Sequence, residues 1–171
     1  MESPQADAET AGAQAADAQA PDAQAPGARG VAFYVLEEAS SAARLKLACR
    51  ITDKAFRAGQ NVLIWHTDAT ELAMLDELLW TFGDDRSFIA HERIVPGRVA
   101  EAPVLLTTSA VPESGIDVLV NLAPEVPPVA ERAARIVEII DGDPARREAG
   151  RARFRTYRKL GLQPVMHNVR P

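Results

Sequence analysis

Cysteine is nearly missing from this chain of 171 residues, and the one present, Cys49, cannot form an intramolecular disulfide or a thiolate cluster for structural zinc. A reducing compartment is the natural setting. Histidine is almost as scarce: His66, His91 and His167 are scattered, none within four residues of another soft ligand, so no metal site is expected. The loop after the first apolar run, LEEASSAARL, has no glycine and carries two glutamates, which is hostile to a dinucleotide phosphate. No G-x-x-x-x-G-K-[ST] motif occurs, and Ser109 and Ser114 lack the glycines of a nucleophile elbow. No run approaches the roughly 18 apolar residues of a membrane span. The N-terminus has no basic region followed by an apolar stretch, so no secretory signal is expected and the reading is a soluble, cytoplasmic protein without cofactor. Without a triad, a partnered carboxylate pair or a cofactor box, the sequence favours a binding protein over an enzyme.

What the chain does have is an uneven charge. Residues 1–30 hold five acids and one arginine, and residues 31–143 hold eighteen acids and ten bases. The last 28 residues, 144–171, carry a net charge of plus seven, in a chain whose total is minus five. A protein that coats nucleic acid spreads its cations widely and has a high pI, because affinity scales with the phosphates neutralised. A local basic surface suits a small acidic partner better than a long duplex.

Residues 1–30 are built from Ala, Gln, Asp, Pro and Gly with no core-forming residue, so they cannot bury enough apolar surface to offset their ordering entropy and are expected to be a disordered tail. The ordered domain should span 31–165, with 166–171 as a C-terminal tail. VAFYVL (31–36) and NVLIWH (61–66) read as strands. Between them, ARLKLACRITDKAFRAG reads as a helix stopped at Gly59, with Cys49 packed in the core. DATELAMLDELLW reads as a second helix, with Asp68 and Glu71 at capping-box spacing. PVLLTT (103–108), GIDVLVNLA (115–123) and RIVEII (135–140) are further strands, with a short helix near Val129–Ala134 and a short strand near Ser87–Ala90. Continuous apolar strands alternating with helices imply a single Rossmann-like α/β domain of three layers with a mostly parallel sheet.

The basic segment ARREAGRARFRTYRKLGL (145–162) reads as a helix. At about 100° per residue, Arg147, Arg151, Arg155 and Arg158 share a stripe roughly 80° wide, with the Phe154 ring beside it. Ala149, Ala152 and Leu160 are expected to face the sheet. Guanidinium forks pair bidentately with carboxylates, so a peptide ending in acidic residues and one apolar side chain would match this face. Two other classes stand beside this reading: a small Rossmann-type enzyme with a site near His66 at the strand C-termini, and direct nucleic-acid binding through 144–171. His66 itself reads more simply as a hydrogen-bonded structural residue.

Several stretches together resemble the chi subunit of the bacterial DNA polymerase III holoenzyme, a clamp-loader accessory protein: FYVL, AGQNVLIWH, LDELLW (75–80), SFIAH (87–91) and RFRTYRKLG (153–161). The resemblance covers about residues 31–165. It implies a Rossmann-like domain without nucleotide chemistry, joined to the psi subunit on one face. On another face it would hold the C-terminal tail of single-stranded DNA-binding protein, which in such systems is acidic and ends in phenylalanine; DNA is then reached only through that protein. By the same resemblance Arg147, Arg151 and Arg155 are the tail-binding cations, Ile140 an apolar pocket wall, and Trp80 and Phe88 part of the psi-facing surface. The chain departs from the family pattern at Ala90, where proline is usual, in a longer turn around Phe82–Asp85, and in the acidic N-terminal extension.

Overall fold

The computed structural model describes residues 29–83 and 88–170. Its strands are β1 (Gly30–Leu36), β2 (Val62–Trp65), β3 (His91–Arg93), β4 (Val104–Thr107), β5 (Ile116–Asn121), β6 (Ala133–Ile140) and β7 (Val165–Val169). They form a seven-stranded sheet in the order β3-β4-β2-β5-β6-β1-β7, and every neighbouring pair is parallel. The helices are α1 (Ser41–Arg57), α2 (Ala69–Thr81) and α3 (Pro144–Lys159). No helix among the described residues is long and apolar enough to cross a membrane.

Central strands buried on both faces must be largely apolar on both, and VLIW, VLLT and the VLV of IDVLVN are. Alternate residues then feed two cores. Ile64, Leu106, Val120 and Val137 pack with Leu45, Ala48, Leu72, Leu75 and Leu79 of α1 and α2. On the opposite face Phe33, Leu63, Leu105, Leu119 and Ile136 pack with Tyr157 of α3 and with Val129 and Ala130 at a single 3₁₀ turn. The result is the three-layer α/β arrangement that the alternation of apolar runs implied. Cys49 is fully buried in the first core, and burial pushes its thiol up to about 12, which suits a packing role.

Local chemistry sets the helix boundaries. Ser40 Oγ accepts from the Ala43 amide at the start of α1, and Gly59, at φ 72°, follows its end. Asp68 Oδ1 caps α2 by accepting from the amides of Thr70 and Glu71. The expected capping box is only half made, because the Glu71 side chain turns to His66 and Arg44 while the Asp68 amide donates to His66 Nδ1. Asp143 caps α3, with Pro144 in its first turn.

Four details differ from the sequence-based expectation. The expected disordered tail falls, for residues 1–28, outside the described residues, and strand β1 already begins at Gly30. The short strand expected at Ser87–Ala90 lies at His91–Arg93 instead; Ser87 is outside the described residues, and Phe88 to Ala90 have no regular structure. HER carries no apolar run because an edge strand of three residues needs only backbone pairing, here to Val104–Leu106. The stretch set apart as a C-terminal tail contains strand β7, which extends the sheet past 165 by pairing Val165–Val169 with Ala32–Leu36. The helix near Val129–Ala134 is a 3₁₀ turn of three residues, and Ala133 already belongs to β6.

Candidate functional site

The face that α3 turns to the sheet is not the expected one. Ala152 is exposed and Leu160 is 54% exposed, whereas Gly150, Arg153 and Tyr157 are buried. Their spacing of three and four residues makes one helical face. The cause lies in β6, which carries Glu138 at 0% exposure among apolar neighbours. Glu138 Oε2 accepts from Arg153 Nε at 2.8 Å, and its Oε1 accepts from the Tyr157 hydroxyl at 2.7 Å and Asn121 Nδ2 at 2.9 Å. Arg153 also donates to the Pro124 carbonyl at 2.7 Å. A buried carboxylate requires such partners, so charge selects which side of α3 packs inward. Burial pushes the Glu138 carboxyl above the usual range, with Arg153, Asn121 and Tyr157 pulling the other way. Burial, and then the Glu138 charge, push the Tyr157 hydroxyl far up.

With Arg153 spent on the sheet, Arg151 and Arg155 are left directed outward. Arg147, Arg151, Phe154 and Arg155 of α3 line a groove of about 390 Å³ together with Ile140 of β6, Phe33 and Val35 of β1, Gly150, and Met166 of β7. Phe33 and Phe154 lie 5.4 Å apart between ring centroids, so the floor is continuous apolar surface. Gly150 is needed for this packing: a Cβ there would overlap Ile140 Cδ1 and lie 3.2 Å from its Cγ1. Arg151 donates to Glu148 Oε2 through Nε at 3.0 Å and Nη2 at 2.6 Å, while Arg155 Nη2 lies 3.8 Å from Glu148 Oε1. These two cations hold the Glu148 carboxyl below its usual range, the Arg151 hydrogen bond first. All three side chains are more than half exposed.

Of the residues singled out in the sequence, the structure thus brings Ile140, Arg147, Arg151, Phe154 and Arg155 around one groove. Arg158 lines the adjoining hollow with Phe154, Gly161, Leu162, Gln163 and Pro164. Arg147 differs from Arg151 and Arg155, because it donates to the carbonyls of Asp141, Leu36 and Glu37 and so ties the start of α3 to the end of β1. Sequence reasoning missed Phe33, Val35, Gly150 and Met166. Phe33 and Val35 share one face of β1 by simple alternation and could have been found that way. Met166 could not, since its place depends on β7 pairing with β1.

The second pair of candidates, Trp80 in the last turn of α2 and Phe88 in the segment after it, meets on the far side of the sheet. Trp80 is 55% and Phe88 57% exposed, and their ring centroids are 5.3 Å apart. His91 packs beneath, 4.8 Å from the Trp80 ring, with Nδ1 2.7 Å from the Ile89 carbonyl. Its Nε2 lies 3.4 Å from Asp76 Oδ1, too poorly aligned for a hydrogen bond. The two rings are tilted by 40° and half in water, so this pair is not part of the core.

At the C-terminal ends of the strands, where an open α/β sheet places a ligand, a hollow of about 260 Å³ is lined by Arg44, His66, Glu71, Arg146 and Arg153, among others. Its cations are engaged internally. Arg44 donates to Glu71 at 3.1 Å and to the carbonyls of Ile139 and Leu122, and Arg146 forks onto Asp141 with two bonds of 2.7 Å. His66 Nε2 lies 2.7 Å from Glu71 Oε2 while Nδ1 accepts the Asp68 amide, so the neutral Nε2–H tautomer satisfies both contacts. His66 therefore pins the start of α2 to the end of β2.

Fold and sites define a Rossmann-like module that presents two separate surfaces, a guanidinium-fringed apolar groove and an exposed aromatic pair. Compared with protein-family models, residues 29–165 match the one described as DNA polymerase III chi subunit, HolC. The chain belongs to that family. It is 38% identical over 139 residues to the DNA polymerase III subunit chi of Pseudomonas aeruginosa, covering 81% of this chain and 96% of that one. It is 26% identical over 145 residues to the protein of the same name from Haemophilus influenzae, covering 83% and 99%. Among solved structures, T4 UvsW is similar in fold alone, with a TM-score of 0.60 at 10% identity over 82% of this chain and 41% of that chain.

Proposed function

We propose that this chain is a non-catalytic accessory subunit of DNA polymerase III in DNA replication, and that it links the clamp loader to single-stranded DNA-binding protein. In this reading the α3 groove takes the acidic C-terminal tail of single-stranded DNA-binding protein, and the Trp80–Phe88 surface takes a psi subunit. DNA is reached through the coating protein. Family membership supports the replication role, and the geometry of the groove supports the choice of ligand. The observation that carries it is the Glu148 carboxylate held by Arg151 beside Arg155, above the apolar floor of Ile140, Phe33 and Val35. A ligand carboxylate can take that position while an apolar side chain beside it fills the floor.

The experiment is fluorescence anisotropy of a labelled acidic peptide ending in phenylalanine, titrated with the intact chain and with Arg151→Ala at two salt concentrations. Micromolar binding that weakens about tenfold in the variant, a loss of about 1.4 kcal/mol, is expected, together with weaker binding at high salt. Equal affinity for both proteins, or stronger binding to a bare oligonucleotide than to the peptide, would refute the assignment.

A further inference from the structure

We infer that the α3 groove receives its peptide as an added strand, with the ligand backbone pairing along the outer edge of β7. This rests on the reading of the groove as an acidic-peptide site, and goes beyond it to the mode of binding. Among the described residues, strand β7 ends the sheet order and pairs on one side only, with β1. Its other edge therefore presents main-chain N–H and C=O groups without a sheet partner among the described residues.

Edge strands are usually guarded by lysine, proline or an inward-pointing charge. VMHNV has none of these within the strand: Pro164 precedes it and Arg170 follows it. Val165 is 42% and Met166 59% exposed, an apolar and unguarded edge. Side chains of β7 alternate between the two faces. His167 packs at a tilt against Tyr34, ring centroids 5.2 Å apart, and Val169 packs against the core under α1 and α2. Met166 points the other way, into the groove with Ile140 and Phe154.

The edge and the groove are thus one continuous surface. An extended peptide laid beside β7 would place every second side chain on the α3 face, where Arg151 and Arg155 lie, while the intervening ones point away. Charge selects the occupant: α3 offers Arg151, Arg155, Arg158 and Lys159 as exposed cations against Glu148 as its single acid, so the added strand is an acidic segment. Five paired residues in β7 allow an added strand of similar length.

The test uses the intact chain and a set of acidic peptides ending in phenylalanine, each N-methylated at one backbone nitrogen near its carboxyl end. An N-methyl group removes one donor and leaves side chains and charge unchanged. Strand addition predicts an alternating pattern, with at least tenfold weaker binding at every second position and near-parental binding between them. Hydrogen exchange read at Val165–Val169 should slow for the outward amides when the unmodified peptide is bound. Parental binding that depends on Arg151 but shows no alternation, with unchanged exchange in β7, would overturn strand addition while leaving the groove as the peptide site. No binding of the parent peptide would overturn both. A peptide-free dimer at working concentration, whose formation alone slows exchange in β7, would show a second copy as the occupant and overturn the proposal.

Discussion

Replacing Glu138 by glutamine tests the claim that a buried charge decides how α3 sits. The substitution conserves shape and changes only what the second oxygen can do. With its oxygen in place of Oε1, the glutamine keeps the bonds from Tyr157 and Asn121, now 2.7 and 2.9 Å to the carboxylate. Its amide nitrogen then takes the place of Oε2 and faces Arg153 Nε at 2.8 Å, donor against donor. Flipping the amide restores an acceptor for Arg153 but points two donors at Tyr157 and Asn121. Arg153 is 5% exposed and would keep only the Pro124 carbonyl. Removing one member of a buried pair costs about 3–5 kcal/mol, which in a chain of this size corresponds to a Tm drop on the order of 10 °C. Urea unfolding followed by tryptophan fluorescence reads the loss directly. Replacing both partners with apolar residues, as in Glu138→Leu with Arg153→Met, should recover part of it, the remainder being the buried Tyr157 hydroxyl and Asn121 amide left without their acceptor. A single variant that loses less than about 1 kcal/mol would mean the pair does not anchor the helix, and the account of its buried face would fall.

Gly150→Ala should change binding more than folding. The helix gains about 0.8–1 kcal/mol of propensity, while Ile140 must turn away from the new methyl at about 0.5–1.5 kcal/mol; urea midpoints should therefore stay near wild type as the acidic peptide binds several times more weakly, and Ile140→Val in the same chain should restore part of the affinity. Glu148→Ala removes the carboxylate that occupies Arg151 and Arg155, so the peptide should bind more tightly, most clearly at low salt; weaker binding would show that Glu148 positions the forks instead of competing for them. His66 titrates below its ordinary value of 6.5 because burial, and then the nearby Arg44, oppose its charge more than Glu71 favours it. The unfolded chain thus takes up the proton first, so stability falls as pH drops below about 6.5, and His66→Gln should flatten that slope in urea midpoints taken across the range; parallel curves would count against it.

The apolar runs were sufficient for the architecture, because a strand buried on both faces must be largely apolar and a parallel sheet must have helices over it. Helix caps were legible for the same local reason: Asp68 needs only the amides two and three residues ahead. The arginine stripe was legible from helical spacing alone, and so was its place beside Phe154. The edges of the sheet were not. His91–Arg93 and Val165–Val169 are held by backbone pairing to β4 and β1, which leaves no pattern in their own side chains. The orientation of α3 was likewise hidden, because small residues look like a packing face until the sheet is known to contain a buried carboxylate. Glu138 in RIVEII and Arg153 in RARFR are fifteen residues apart, and each reads alone as an ordinary surface charge. Only the fold sets one beneath the other, out of water, where the pair becomes obligatory. The sequence by itself therefore determined the class of fold and the chemistry on offer, since periodicity and residue type are local properties. Which arginines anchor and which stay exposed was decided by tertiary structure, because burial and partnership exist only between segments.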